Sequence, residues 1–154
     1  MGNTAKLIIA ILIPLCVGFT SGFFTAGNVS GWYQTIQKPS WNPPSWIFGP
    51  VWTTLYALMA VAVWRIGVPR SAAQKRAVVL FVVQLLLNGI WSPAFFGLES
   101  PLLGLIIIVP MWIAIAMTLV AFWRLDRTAG LLMAPYLLWV SYATMLNGAI
   151  YALN

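Results

Sequence analysis

Long apolar runs separated by short polar turns set the pattern of this chain. The runs cover about residues 7–25, 50–66, 75–96, 101–123 and 129–153. An α-helix rises about 1.5 Å per residue, so about 20 apolar residues cross a hydrocarbon core about 30 Å thick. Each run is therefore predicted to be a membrane-spanning helix. The expected fold is an all-α integral membrane protein, a five-transmembrane-helix bundle forming one domain over residues 1–154. Pro50 stands in a first helical turn, where its missing N–H costs nothing. Pro93, Pro110 and Pro135 fall within or near the ends of later spans, with Pro110 a predicted kink. Membrane helices tolerate such prolines.

Residues 67–74, GLES and RLDRT are turns, and residues 27–46 form the only long polar connection. Lys6 followed by LIIAILIPLCVGFTSGFFT has the outline of a signal peptide. Its 19 residues, the lack of a clean A-x-A site and the absence of a soluble domain to export favour a retained span. Gly18 and Gly22 form a GxxxG. Close packing inside the same bundle is favoured over dimerisation through it.

Composition strengthens the membrane reading, since 62% of the residues are hydrophobic and only 6% charged. A net charge of +6 raises the possibility of nucleic acid, but the charges are few and lie between spans. Lys6, Arg65, Arg70, Lys75, Arg76, Arg124 and Arg127 gather on the N-terminal side, and Lys38 stands alone on the other. That asymmetry predicts a cytoplasmic N-terminus, with the long loop and the C-terminus on the opposite side. The single cysteine, Cys16, excludes an intramolecular disulfide. No histidine is present, so imidazole cannot serve as metal ligand, haem ligand or general base. Glu99 and Asp126 are the only acids, which argues against paired-carboxylate catalysis and leaves no metal site to expect.

The aromatic residues hold the candidate chemistry, with nine tryptophans in the chain. Trp64 and Trp123 adjoin arginines at span ends and belong to an interfacial belt. Trp112 is mid-span in the fourth run and is expected to meet lipid or another subunit. Trp52 and Tyr56 share a face of the second helix, and Gln84, Asn88 and Trp91 share one of the third. On the fifth, Trp139, Ala143, Leu146 and Asn147 align, with Tyr136 a turn earlier. The fourth span offers only Thr118 beside its indole and reads as a lipid-facing or partner-facing strut. Amides at membrane depth must face the interior and find partners. Two readings stay open: a cavity among helices two, three and five for a flat, largely apolar ligand, or a packed core with Gln84 and Asn88 bonded to neighbouring helices. In KPSWNPPSWIFGPVW, prolines 39, 43 and 44 stiffen the chain. With Trp32, Tyr33, Trp41 and Trp46 the loop reads as a lid over the bundle mouth.

WYQTIQKPSWNPPSWIFGPVWTTLY, NGIWSPAFFG and APYLLWVSYATMLN resemble the tryptophan-rich sensory protein family, also called TspO, translocator protein or peripheral benzodiazepine receptor. The resemblance covers nearly the whole chain in matching order. It implies five transmembrane helices, commonly a homodimer, and a ligand cavity under the first loop. It implies binding of porphyrins such as protoporphyrin IX and haem, of cholesterol in many members, and of benzodiazepine-site ligands. Some bacterial members are reported to degrade protoporphyrin IX in light. Carried over, Trp52 and Trp139 would face ligand and support that photochemistry. Tyr33, Asn88 and Trp91 would line the cavity, with Ala143 on its helix-five wall. The sterol-recognition stretch is incomplete, since Val140 and Tyr142 are present but Asn147 occupies the basic position.

Together the two lines give Tyr33, Trp41, Trp52, Tyr56, Gln84, Asn88, Trp91, Trp139 and Ala143 as candidate ligand-binding residues. Porphyrin is then a ligand held by stacking, its propionates meeting loop-side donors or Lys38, with no cofactor required. Three roles follow for the membrane-embedded chain: porphyrin sensor, light- and oxygen-dependent porphyrin degradation, or passage of porphyrin or lipid. Nucleic acid is not an expected partner.

Overall fold

The computed structural model describes residues 2–154, apart from the side chains of Asn3 and Lys6. The Lys6 charge counted above therefore lies outside the described residues. The described residues contain helices and no strand, and five helices are long and apolar enough to span a membrane. This is an integral, multi-pass membrane protein.

Helix α1 covers Asn3–Val29, four residues beyond the apolar run. Polar side chains allow that extension by bonding their own helix. Thr25 Oγ1 donates to the Ser21 carbonyl at 3.0 Å, and Asn28 Nδ2 to that of Phe24 at 3.0 Å. The long connection is not all loop. It carries a one-turn helix, α2 (Trp32–Thr35), and a 3₁₀ turn at Ser45–Ile47 that leads into α3 (Phe48–Ile66). Helix α4 (Ala72–Ser92) starts three residues earlier than the apolar pattern suggested. Ser71 and Gln74 form a reciprocal capping box there, each side chain satisfying the other's backbone N–H. A π-turn, Pro93–Gly97, closes α4. Helices α5 (Pro101–Leu125) and α6 (Arg127–Leu153) are capped by Ser100 and Asp126.

The spans form a ring in the order α1, α3, α6, α5, α4 and back to α1. Lipid tails are as apolar as leucine, so packing and hydrogen bonds must hold such a ring together. Glycine permits two of its closest approaches. A Cβ on Gly18 would fall 2.5 Å from the Tyr56 ring, and one on Gly104 2.5 Å from Asn147 Oδ1. Gly18 thus packs α1 onto α3 inside the bundle, whereas Gly22 meets nothing within 4 Å.

The fourth span is more than a strut. Its Ile108, Met111, Ile115 and Phe122 are fully buried, and Phe122 stacks on Phe81 of α4 at 5.7 Å. Only its opposite face, with Ile106, Val109, Ile113 and Met117, is exposed. Trp112 is exposed, as a contact with lipid or another subunit requires, and also reaches a neighbouring helix. Its indole N–H donates to Ser141 Oγ of α6 at 2.7 Å, because a buried face on α5 brings its flanks against a neighbouring helix.

At the α3 end opposite the long loop, Arg65 forms a two-pronged pair with Asp126, at 3.1 and 2.8 Å. The same carboxylate accepts from the Ala129 N–H at 2.8 Å. The Arg65 hydrogen bonds, then the backbone one, hold the Asp126 carboxyl below the ordinary carboxylate range.

Candidate functional site

The bundle interior between α3, α4 and α6 is filled. Tyr56 donates to Asn88 Oδ1, Asn88 Nδ2 to the Tyr136 hydroxyl at 2.7 Å, and Tyr136 to Gln84 Oε1 at 2.8 Å. Gln84 Nε2 ends the chain on Met59 Sδ at 3.8 Å. Gln84 is 0% exposed and Asn88 2%. Here the packed reading prevails, because each amide finds partners on neighbouring helices. Nearer the loop, Trp91 Nε1 donates to Asn147 Oδ1 at 3.3 Å, and Asn147 Nδ2 donates to the Pro101 carbonyl at 2.8 Å. Asn147 therefore joins α4, α6 and the start of α5. Only a void of about 20 Å³ remains on this side, touching Tyr33, Trp91 and Ala143.

The large cavity lies elsewhere. About 670 Å³ opens between α1, α3 and α4, in the half of the bundle nearer the long loop. Trp52, Tyr56, Asn88 and Trp91 line it, facing Gly18, Ser21, Gly22 and Thr25 of α1. The rings form a connected set: Trp52 lies 5.7 Å from Tyr56 and 6.3 Å from Trp91, tilted by 30° and 36°. No residue of the lining is charged. Its polar groups are hydroxyls, one amide, the indole N–H groups of Trp46, Trp52 and Trp91, and backbone.

The remaining candidates sit around this cavity rather than in it. Tyr33 is 1% exposed, packed against Phe48, Phe95 and Phe96. Its hydroxyl donates to Asn42 Oδ1 at 2.6 Å. Burial, with a lesser contribution from Tyr142, pushes its phenol above the ordinary value and keeps it a neutral donor. Trp41 stands edge-on to Tyr142, whose hydroxyl donates to the Trp41 carbonyl at 2.7 Å. Trp139 lies between Phe48 and Tyr142, with its indole N–H buried and unpartnered. Gln84 is sealed in the network. Lys38 is no free cation for a carboxylate. Its ammonium donates to the carbonyls of Tyr33 and Ile36, at 2.5 and 3.1 Å, and sits 5.0 Å from the centre of the Tyr33 ring.

Sequence reasoning missed the α1 wall. Gly18, Ser21, Gly22, Thr25 and Ala26 recur at helical spacing, a face of small side chains in an otherwise bulky span. The sequence reading reached only its Gly18 and Gly22, as a packing contact.

Compared with known proteins, the sequence matches the TspO/MBR family over residues 10–153. The chain belongs to that family. It is 46% identical to the tryptophan-rich protein TspO of Chlorobaculum tepidum, over 99% of both chains. It is 43% identical to the protein of the same name from Archaeoglobus fulgidus, again over 99% of both. The human translocator protein is 36% identical over 93% of this chain and 86% of its own. Within the family frame, Trp52, Asn88 and Trp91 share one cavity here, whereas Trp139 and Ala143 stand behind the packed rings of Tyr33 and Phe48.

Proposed function

We propose that this protein is a membrane receptor for tetrapyrroles such as protoporphyrin IX, and that binding informs a sensing role in porphyrin levels or stress. The observation that carries the reading is the 670 Å³ cavity walled by Trp52, Tyr56 and Trp91. Its size falls in the range of small-molecule sites, about 300–1,000 Å³, and its apolar aromatic wall suits a flat macrocycle. The uncharged lining favours a pose with the propionates at the loop end, where Ser30 and Ser45 offer hydroxyls. The long loop acts as a lid, pinned to α6 by paired Gln37–Asn154 bonds and by Tyr142. The N-terminus is cytoplasmic, as the charge asymmetry favours, and the family resemblance favours a homodimer.

A second reading is supported by the aromatic chain. Trp91, Trp52 and Tyr56 stand close enough to relay electrons from an excited porphyrin, so light and oxygen would drive ring cleavage. Illuminated and dark samples should then differ in pigment spectrum over time.

The first test is tryptophan fluorescence of purified protein titrated with protoporphyrin IX in dim light. Saturable quenching is expected, weakened in Trp52→Phe and nearly unchanged in Trp139→Phe. Linear quenching that is equal in all three proteins would mean partitioning into detergent and would defeat the reading.

A further inference from the structure

The end of the bundle opposite the long loop gathers positive charge that its acids do not balance. Arg65, at the end of α3, is tied to the α5–α6 turn through Asp126. Gln74 Nε2, in the first turn of α4, donates to the Ile66 carbonyl at 3.1 Å. These bonds draw three segments of the chain to one end and bring Arg70, Lys75, Arg76, Arg124 and Arg127 with them. Asp126 is the acid at this end, and its carboxylate is taken by Arg65 and the Ala129 N–H. Glu99 precedes the far end of α5. The one ion pair among the described residues is that of Arg65 with Asp126. Arg124 and Arg127, both exposed, are therefore left without an anionic partner.

Each of these two arginines heads an outward apolar stripe. On α5, Ile113, Met117, Val120 and Arg124 recur at helical spacing and are all exposed. On α6, Arg127, Leu131 and Leu138 do the same. The two helices pack against each other, so the stripes run side by side from one turn. From Arg124 to Ile113, and equally from Arg127 to Leu138, they extend about 16 Å along the helix axes. That is about half of a hydrocarbon core about 30 Å thick, the depth reached by the acyl chains of one leaflet. Just beyond, the Trp112–Ser141 bond bridges the two helices. Trp64 and Trp123, exposed beside Arg65 and Arg124, mark the level of the headgroups. Two stripes of one-leaflet length under two neighbouring guanidinium groups match a phosphate that carries two acyl chains. Guanidinium groups bind phosphate oxygens through paired hydrogen bonds. The charge balance narrows the headgroup further. A choline or ethanolamine headgroup would set its own cation among Arg70, Lys75, Arg76, Arg124 and Arg127, with Asp126 already occupied. A glycerol headgroup brings no cation.

We propose that the α5–α6 turn binds an anionic diacyl phospholipid of the phosphatidylglycerol type, its phosphate held by Arg124 and Arg127 and its acyl chains lying along the outer stripes of α5 and α6. The site lies outside the α1–α3–α4 cavity and does not depend on the porphyrin reading.

The test uses the full chain in an uncharged detergent, titrated with dioleoylphosphatidylglycerol and separately with dioleoylphosphatidylcholine, with bound lipid counted by native mass spectrometry. The glycerol lipid should bind saturably and more tightly than the choline lipid. Arg124→Gln with Arg127→Gln should weaken it about tenfold or more, since each basic residue near a membrane surface is worth about 1 kcal/mol toward an anionic lipid. Arg70→Gln with Lys75→Gln removes the same charge from a neighbouring turn and should weaken it much less. Equal losses in the two double variants would mean attraction to net charge alone and would overturn the inference. Equal affinity for the two lipids, or uptake that never saturates, would overturn it as well. Glycerol 3-phosphate, which has the phosphate without the chains, should fail to displace the lipid at equal concentration. Full displacement would show that the apolar stripes contribute nothing and would defeat the assignment to a lipid.

Discussion

Two regions of this bundle carry polar groups at the same membrane depth and treat them in opposite ways. Between α3, α4 and α6, Tyr56, Asn88, Tyr136 and Gln84 pass hydrogen bonds from one to the next and leave almost no space. On the α1 side, short side chains including Ser21 leave about 670 Å³ open. The difference is one of side-chain volume. Phenols and amides reach across a helix–helix gap, while Gly18, Ser21, Gly22 and Ala26 cannot. Where side chains span the gap the bundle gains rigidity; where they fall short it keeps room for another molecule. Long polar side chains therefore mark the structural region here, and short ones mark the candidate binding region.

The sharpest way to break this comparison is Asn88→Leu. It deprives Tyr56 and Tyr136 of their shared partner, and membrane hydrogen bonds are worth about 0.6 kcal/mol on average and up to about 1.7. A loss of about 1–3 kcal/mol is expected, read as a lower Tm in detergent. An intermediate effect belongs to Asn154→Ala. Asn154 both accepts from the Gln37 N–H and donates to its carbonyl, so the variant should lose about 1 kcal/mol locally. Limited proteolysis should then cut the long loop faster, while helix melting stays near the wild-type value. The smallest effect is predicted for Ser21→Ala. Its side chain is small and borders open space, so its stability should stay within about 0.5 kcal/mol of wild type. A Ser21→Ala protein as unstable as Asn88→Leu would erase the distinction between the two regions.

The amino-acid sequence by itself determined that the chain spans a membrane five times. Hydrocarbon leaves backbone groups no partner outside their own helix, so every apolar run of about 20 residues had to be helical. It also placed Gln84, Asn88 and Trp91 on one interior face, because amides at that depth are costly elsewhere. Helix ends were less legible: α4 begins at Ala72 because Ser71 and Gln74 cap each other, a local bond that hydropathy does not register. Only the tertiary structure decided which helices are neighbours. The ring order puts α1 against α3 and α4, so the cavity faces α1 instead of α6. It also set Trp52 in that cavity and Trp139 behind Phe48, and turned Lys38 back onto the loop's own carbonyls. Such outcomes depend on how side-chain volumes from distant segments add up across a gap, and periodicity along one helix carries no measure of that sum.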